Sequence, residues 1–171
     1  MLVILVVVIL CLIFGGGSWK TPINNVMDVL NDGDGKAYEE LMPPYVKDMA
    51  DALDGIVDIS DEDFDEEAEK QRDRLTKKYG DDAEISYEVV KKTEVDSDDI
   101  DSYNDMSDLA SVLSAKKAKK YELKKAYKVK IKYTIEGEDA DKTDKTTVIV
   151  GKMDGTWVLL DEGDLPISTG F

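Results

Sequence analysis

Three patterns of hydrophobic and polar positions follow one another along this chain. From Met1 to Trp19 no residue is charged, and Leu2 to Phe14 are almost pure Leu, Val and Ile. From Thr21 the apolar residues recur at helical spacing. Ile23, Val26, Met27 and Leu30 form the first stripe, with Thr21 placed to cap it and Pro22 at the first helical position. Asn31-Asp32-Gly33-Asp34-Gly35 breaks that helix. Ala37, Tyr38, Leu41 and Met42 mark a second short helix, stopped by Pro43-Pro44, and Tyr45, Met49, Ala52, Leu53 and Ile56 make a third stripe. Ser60 to Tyr79 is the most fully specified helix. Ser60 is a candidate N-cap with Asp63 three residues on, and Phe64, Ala68, Leu75 and Tyr79 share a face. Its acids come early and its bases late, which suits the helix dipole. Glu66 with Lys70, and Asp73 with Lys77, are spaced for ion pairs one turn apart.

After Gly80 the period changes to two. Ile85, Tyr87 and Val89 alternate with Ser86, Glu88 and Val90. One helical stretch intervenes from Ser97 to Ser114, with Tyr103, Met106, Leu109, Ala110 and Leu113 in phase. Tyr127, Val129, Ile131, Tyr133 and Ile135 then alternate strictly with Lys128, Lys130, Lys132 and Thr134, which predicts a strand with one buried and one wet face. Thr146 to Met153 and Thr156 to Leu160 flank Asp154-Gly155, the favoured pair for a two-residue hairpin turn. Helices followed by antiparallel strands predict an α+β fold: N-terminal helices on a curved antiparallel sheet, preceded by one hydrophobic N-terminal helix. The expected organisation is an apolar segment over 1–19, a domain over 20–165 and a tail over 166–171.

The apolar run changes the picture most. Nineteen helical residues reach about 28 Å, close to the hydrocarbon thickness of a bilayer. An uncleaved anchor and a cleaved signal segment both fit, since small residues at Gly15 and Gly17 suit a processing site. The density of Val, Ile and Leu and the Trp19-Lys20 stop favour the anchor. Either way the rest of the chain is exported: the expected location is the cell membrane with the domain outside the cytoplasm, or secreted if the segment is cleaved. Cys11, the only cysteine, lies inside the run between Leu10 and Leu12, so it reads as a hydrophobe facing lipid. The rest of the chain therefore has no disulfide and no thiolate metal site. Histidine is absent, which removes the commonest general base and zinc ligand. The net charge of -16 opposes nucleic acid as a partner.

Three segments carry a resemblance: "PINNVMDVLNDGDGKAYEELMPP", "KKAYKVKIKYTIEGEDADKTDKTTVIV" and "GKMDGTWVLLDEG". In this order they resemble the nuclear transport factor two-like superfamily, whose fold is a cone of helices and curved sheet. Within it they are similar to small membrane-anchored or lipoprotein ectodomains of low-GC Gram-positive bacteria. The resemblance implies a cone whose mouth takes ligands in some relatives. It implies little about activity, because the superfamily holds isomerases, dehydratases, binding modules and export accessory proteins. The stretch from Asp96 to Lys120 departs most from a minimal version of the fold.

Candidate chemistry is sparse. Asn31-Asp32-Gly33-Asp34-Gly35 is not a calcium loop, since the first and twelfth ligand positions would be Leu30 and Leu41; a turn with a helix cap is expected. Leu165 to Gly170 has one residue too many for a sortase signal. No catalytic residue, metal site or cofactor is expected, and the chain is not read as an enzyme. Tyr87, Tyr127, Tyr133 and Trp157 are candidates for lining the mouth of the cone, with core packing as the alternative. Lys116, Lys117, Lys119, Lys120, Lys124 and Lys125 are candidates for a basic patch, with a solvated face as the alternative. The expected function is an exported, membrane-tethered interaction or accessory domain. Its partners would be the membrane through residues 1–19 and an envelope protein or cell-wall component. A small-ligand binder using the cone pocket, or an isomerase-like enzyme, is the alternative.

Overall fold

A computed structural model describes residues 17–44, 61–104 and 121–168. The apolar run up to Gly16, the stripe from Tyr45 to Ile56, the Ser60 cap and the stretch from Met106 to Leu113 lie outside the described residues. The fold is α+β. Helix α1 spans Thr21–Asp32, α2 Gly35–Leu41 and α3 Asp61–Tyr79. Strand β1 spans Glu84–Glu94, β2 Leu123–Glu136, β3 Lys142–Met153 and β4 Thr156–Asp161. Residues 97–104 form a further helix, α4. The strands pair antiparallel in the order β1-β2-β3-β4, an open meander.

Local chemistry explains most boundaries. The cap of α1 is Lys20, not Thr21, and it contributes no side-chain bond; Pro22 still occupies the first turn. Gly33 ends α1 in the left-handed conformation, and Asp34 caps α2 by accepting a hydrogen bond from Ala37 N at 3.0 Å. So the Asp-Gly run is a turn and a cap, as its composition implied. Gly35 is required by close approach: a Cβ there would lie 2.7 Å from Asp65 Cα on α3. Within α3, Glu66 and Lys70 pair at 3.1 Å. In the last hairpin Asp154 and Gly155 both have positive φ (46° and 83°), the geometry a two-residue turn demands.

The main core lies between the helices and one face of the sheet. Ile23, Val26 and Leu30 of α1 and Ala68 and Leu75 of α3 meet Val129, Ile131, Tyr133 and Ile135 of β2 and Val148 and Val150 of β3. The alternation along β2 thus chose the buried face correctly. A second, smaller core lies on the opposite face at one end, where Leu123, Ala126, Met153 and Val158 are covered by Ile100 and Tyr103 of α4.

Three side-chain amides tie these layers. A side-chain amide can both donate and accept, and so can pair with a peptide unit. Asn31 donates to Ile85 O (3.0 Å) and accepts from Ile85 N (2.8 Å). Asn104 accepts from Leu123 N at 2.7 Å. Gln71, 1% exposed on α3, accepts from Ser168 N and donates to Ser168 O, each at 3.2 Å. That last clasp holds the segment after β4 on the helices, and Leu165 and Ile167 enter the main core.

Beyond Tyr87, β1 departs from the expected alternation. Val89 is 38% exposed and Val90 52%. β1 is an edge strand, and the helices do not cover it beyond Tyr87. The register also shifts between Val89 and Lys91: Val89 faces Ile131, but Lys91 faces Lys130 and Lys92 faces Val129. Val90 is the extra residue of a bulge, and a bulge turns every later side chain to the opposite face. Lys92 and Glu94 therefore point to the inner face.

Candidate functional site

That turn of β1 builds the most distinctive surface of the protein. At the end of the inner face, Tyr127 of β2 stacks on Trp157 of β4, with ring centroids 5.4 Å apart and an interplanar angle of 14°. Trp19 meets Tyr127 edge-on at 6.4 Å and 72°. All three rings are half-buried. Lys92, brought inward by the bulge, has its ammonium 4.2 Å from the Tyr127 centroid and 4.9 Å from that of Trp19. Lys125 lies 5.2 Å from the Tyr127 centroid, and Lys20 lies 5.5 Å from the Trp19 ring. These separations suit cation–π attraction. Lys125 also pairs with Glu94 at 3.5 Å. A hydrogen bond with Tyr127, then the charge of Glu94, raise its pKa above the ordinary lysine value.

Beside Trp157 a cleft of about 360 Å³ opens between the helices and the edge of β4 that no described strand pairs with. Thr21, Asn25, Glu40, Met42, Pro44, Thr156, Trp157 and Val158 line it. Asn25 is buried and donates to Glu40 Oε2 at 3.2 Å, which fixes the carboxylate at the cleft. On the outer face a second hollow of about 400 Å³ lies between Tyr103 of α4 and Ile149 of β3. The Lys128–Asp99 ion pair (2.7 Å) bridges its wall.

The four aromatic candidates are not brought together. Tyr127 and Trp157 are in contact; Tyr133 and Tyr87 are elsewhere. Six residue steps along the strand separate Tyr127 from Tyr133, about 20 Å. Tyr133 is 1% exposed, is paired across from Tyr87, and receives a hydrogen bond from Lys142 Nζ at 2.7 Å. Tyr87 donates to Asn24 Oδ1 at 2.7 Å, and burial raises its pKa. Both serve the wall between sheet and α1. Of the basic candidates, Lys116, Lys117, Lys119 and Lys120 lie outside the described residues. Lys124 and Lys125 split at a second bulge in β2: Lys124 is the extra residue and is exposed, while Lys125 joins the aromatic cluster.

Trp19, Lys20, Lys92, Asn25 and Glu40 escaped the sequence reading as site residues. One trace was present near Lys92: Val89-Val90 interrupts the alternation of β1 at the place where the bulge falls. Trp19, at the end of the apolar run in sequence, packs on the core. Among the described residues no three or more acidic side chains are grouped so as to hold a metal ion. Among them, too, no helix is long and apolar enough to cross a membrane. No protein-family model, curated protein or solved structure matches the chain.

Proposed function

We propose that this chain is an exported, membrane-tethered interaction or accessory domain of the nuclear transport factor two-like type. It engages an envelope protein or cell-wall component through the rim of its sheet. The observation that carries this reading is the contrast between a filled interior and an open rim. Val129, Ile131, Tyr133, Ile135, Val148 and Val150 are covered by side chains of the helices, where a small-ligand cone needs a hollow. The Trp157 cleft, by contrast, offers an indole, a hydrogen-bonded carboxylate and an edge of β4 that pairs with no strand among the described residues, the elements that hold an extended segment beside a sheet.

The experiment has two parts. In cells, the full chain should fractionate with membranes, resist carbonate extraction and be digested by protease added outside. Protection from that protease refutes export. A photo-crosslinking residue at Thr156, in the cleft, should yield a discrete adduct that Glu40→Lys abolishes, and the same residue at Thr147, on the outer face, should yield none. Equal adducts from both positions refute the cleft as the docking element.

A further inference from the structure

The aromatic and lysine cluster lies where the described chain begins. A Cβ on Gly17 would sit 3.9 Å from Cδ1 of Trp157, and Trp19 itself is part of the cluster. Upstream, only Gly15 to Ser18 separate Phe14, the end of the apolar run, from Trp19. Five residue steps span at most about 17 Å even when fully extended. The polar layer on each side of a bilayer is about 5–8 Å thick. If the run occupies the hydrocarbon, the cluster is held at the headgroups or just above them, whatever path those residues take.

The chemistry of this end suits that position. Trp and Tyr carry apolar bodies with polar edges and concentrate at membrane interfaces. Lysines there attract anionic headgroups. The chain as a whole is strongly acidic, with a net charge of -16. Yet this end gathers Lys20, Lys92 and Lys125, with Lys152 paired across from both Lys125 and Trp157. Among the described residues the acids facing it are Glu94, paired with Lys125, and Glu40, held by Asn25 across the cleft; Asp154 lies at the neighbouring turn. The long-range repulsion of the acidic surface from anionic lipid is screened within about 10 Å of salt solution, so contacts at the cluster outweigh it.

We propose that Trp19, Tyr127 and Trp157, with Lys20, Lys92 and Lys125, form a seat on the headgroups of an anionic membrane. The seat fixes the domain with this end of the sheet against the lipid and the Tyr133 end pointing away. It rests on the reading of residues 1–19 as an anchor.

The chain has two tryptophans, and both are in the seat, so fluorescence excited selectively in tryptophan reports on it alone. The test reconstitutes the full chain in vesicles of phosphatidylcholine, with or without phosphatidylglycerol. Quenching by lipids brominated near the headgroup is then compared with quenching by soluble iodide. The expected result is lipid quenching about twofold stronger with phosphatidylglycerol, reduced iodide access, and loss of the difference in Lys92→Glu or at high salt. Lys92→Gln, a milder change at the same ring faces, keeps the test decisive if Lys92→Glu fails to fold. Vesicle-bound protein whose tryptophans remain open to iodide and indifferent to lipid charge overturns the seat alone. Failure of the chain to sediment with vesicles overturns the anchor and the seat together.

Discussion

The two ends of β2 put the same residue type on the same face and treat it oppositely. Tyr133 is sealed between α1, α3 and the sheet, its hydroxyl held by Lys142, and works as core. Tyr127 has the same parity, but among the described residues no helix covers it; two tryptophans and two lysines crowd its ring instead. Strand alternation decides which face a side chain takes. How deep it sits is decided by where the helices end, and the described helices reach one end of β2 and leave the other open.

The sharpest way to break that comparison is truncation at both ends. Tyr133→Ala empties a fully enclosed site and should cost about 3–5 kcal/mol of folding stability, read from urea unfolding. That is a large part of the 5–15 kcal/mol typical of a domain. A loss below about 1 kcal/mol would show that Tyr133 is not core.

Trp157→Ala at the open end should cost less, about 1–2 kcal/mol, because water can fill the space and the ring is already partly solvated. It should also remove the stacking signature of Tyr127 from the near-UV circular dichroism spectrum. If it costs as much as Tyr133→Ala, the rim is as enclosed as the core and the docking and seating readings both weaken.

The smallest effect sharpens the role of lysine at each end. Lys142 hydrogen-bonds Tyr133 and pairs with Asp144, and the bond to Tyr133 is the main cause of its raised pKa. A lysine whose folded pKa is raised adds stability that is present below its unfolded pKa and lost as pH rises through the folded value. Lys142→Ala should therefore cost under about 1 kcal/mol, since the pair is solvent-exposed, and the cost should be constant from about pH 6 to pH 9. A cost that grows across that range would mean that another group, not the lysine ammonium, is titrating.

Much of the fold was legible in the chain before any coordinates. The helix breaks at Gly33 and Gly80 and the Asp154-Gly155 turn follow from backbone preferences that act within a few residues. The inner face of β2 follows from its unbroken period of two. β1 was less legible past Tyr87, because an edge strand has solvent on one side and its pattern is not enforced by packing. The pairing of Leu123 and Ala126 with α4 on the outer face was missed for a related reason: two residues on the wet side of a lysine-rich strand give no periodic signal.

The candidate site was half legible. Tyr127 and Trp157 were singled out as aromatic residues on inner-facing strands, and the structure joins them. Their companions depend on register. One inserted residue, Val90, turns Lys92 from the outer face to the inner, and another, Lys124, fixes which lysine meets Tyr127.

By itself, then, the sequence determined the class of fold, the absence of histidine and of any cysteine after Cys11, the main buried face and the turn geometry, because each follows from residue type or from local periodicity. Only the tertiary structure decided that Tyr133 is core, that Tyr127 is rim and that Trp19 and Lys92 stand beside it. Depth and neighbourhood come from contacts between residues far apart in the chain. A single bulge can reverse them without leaving a mark larger than two adjacent valines.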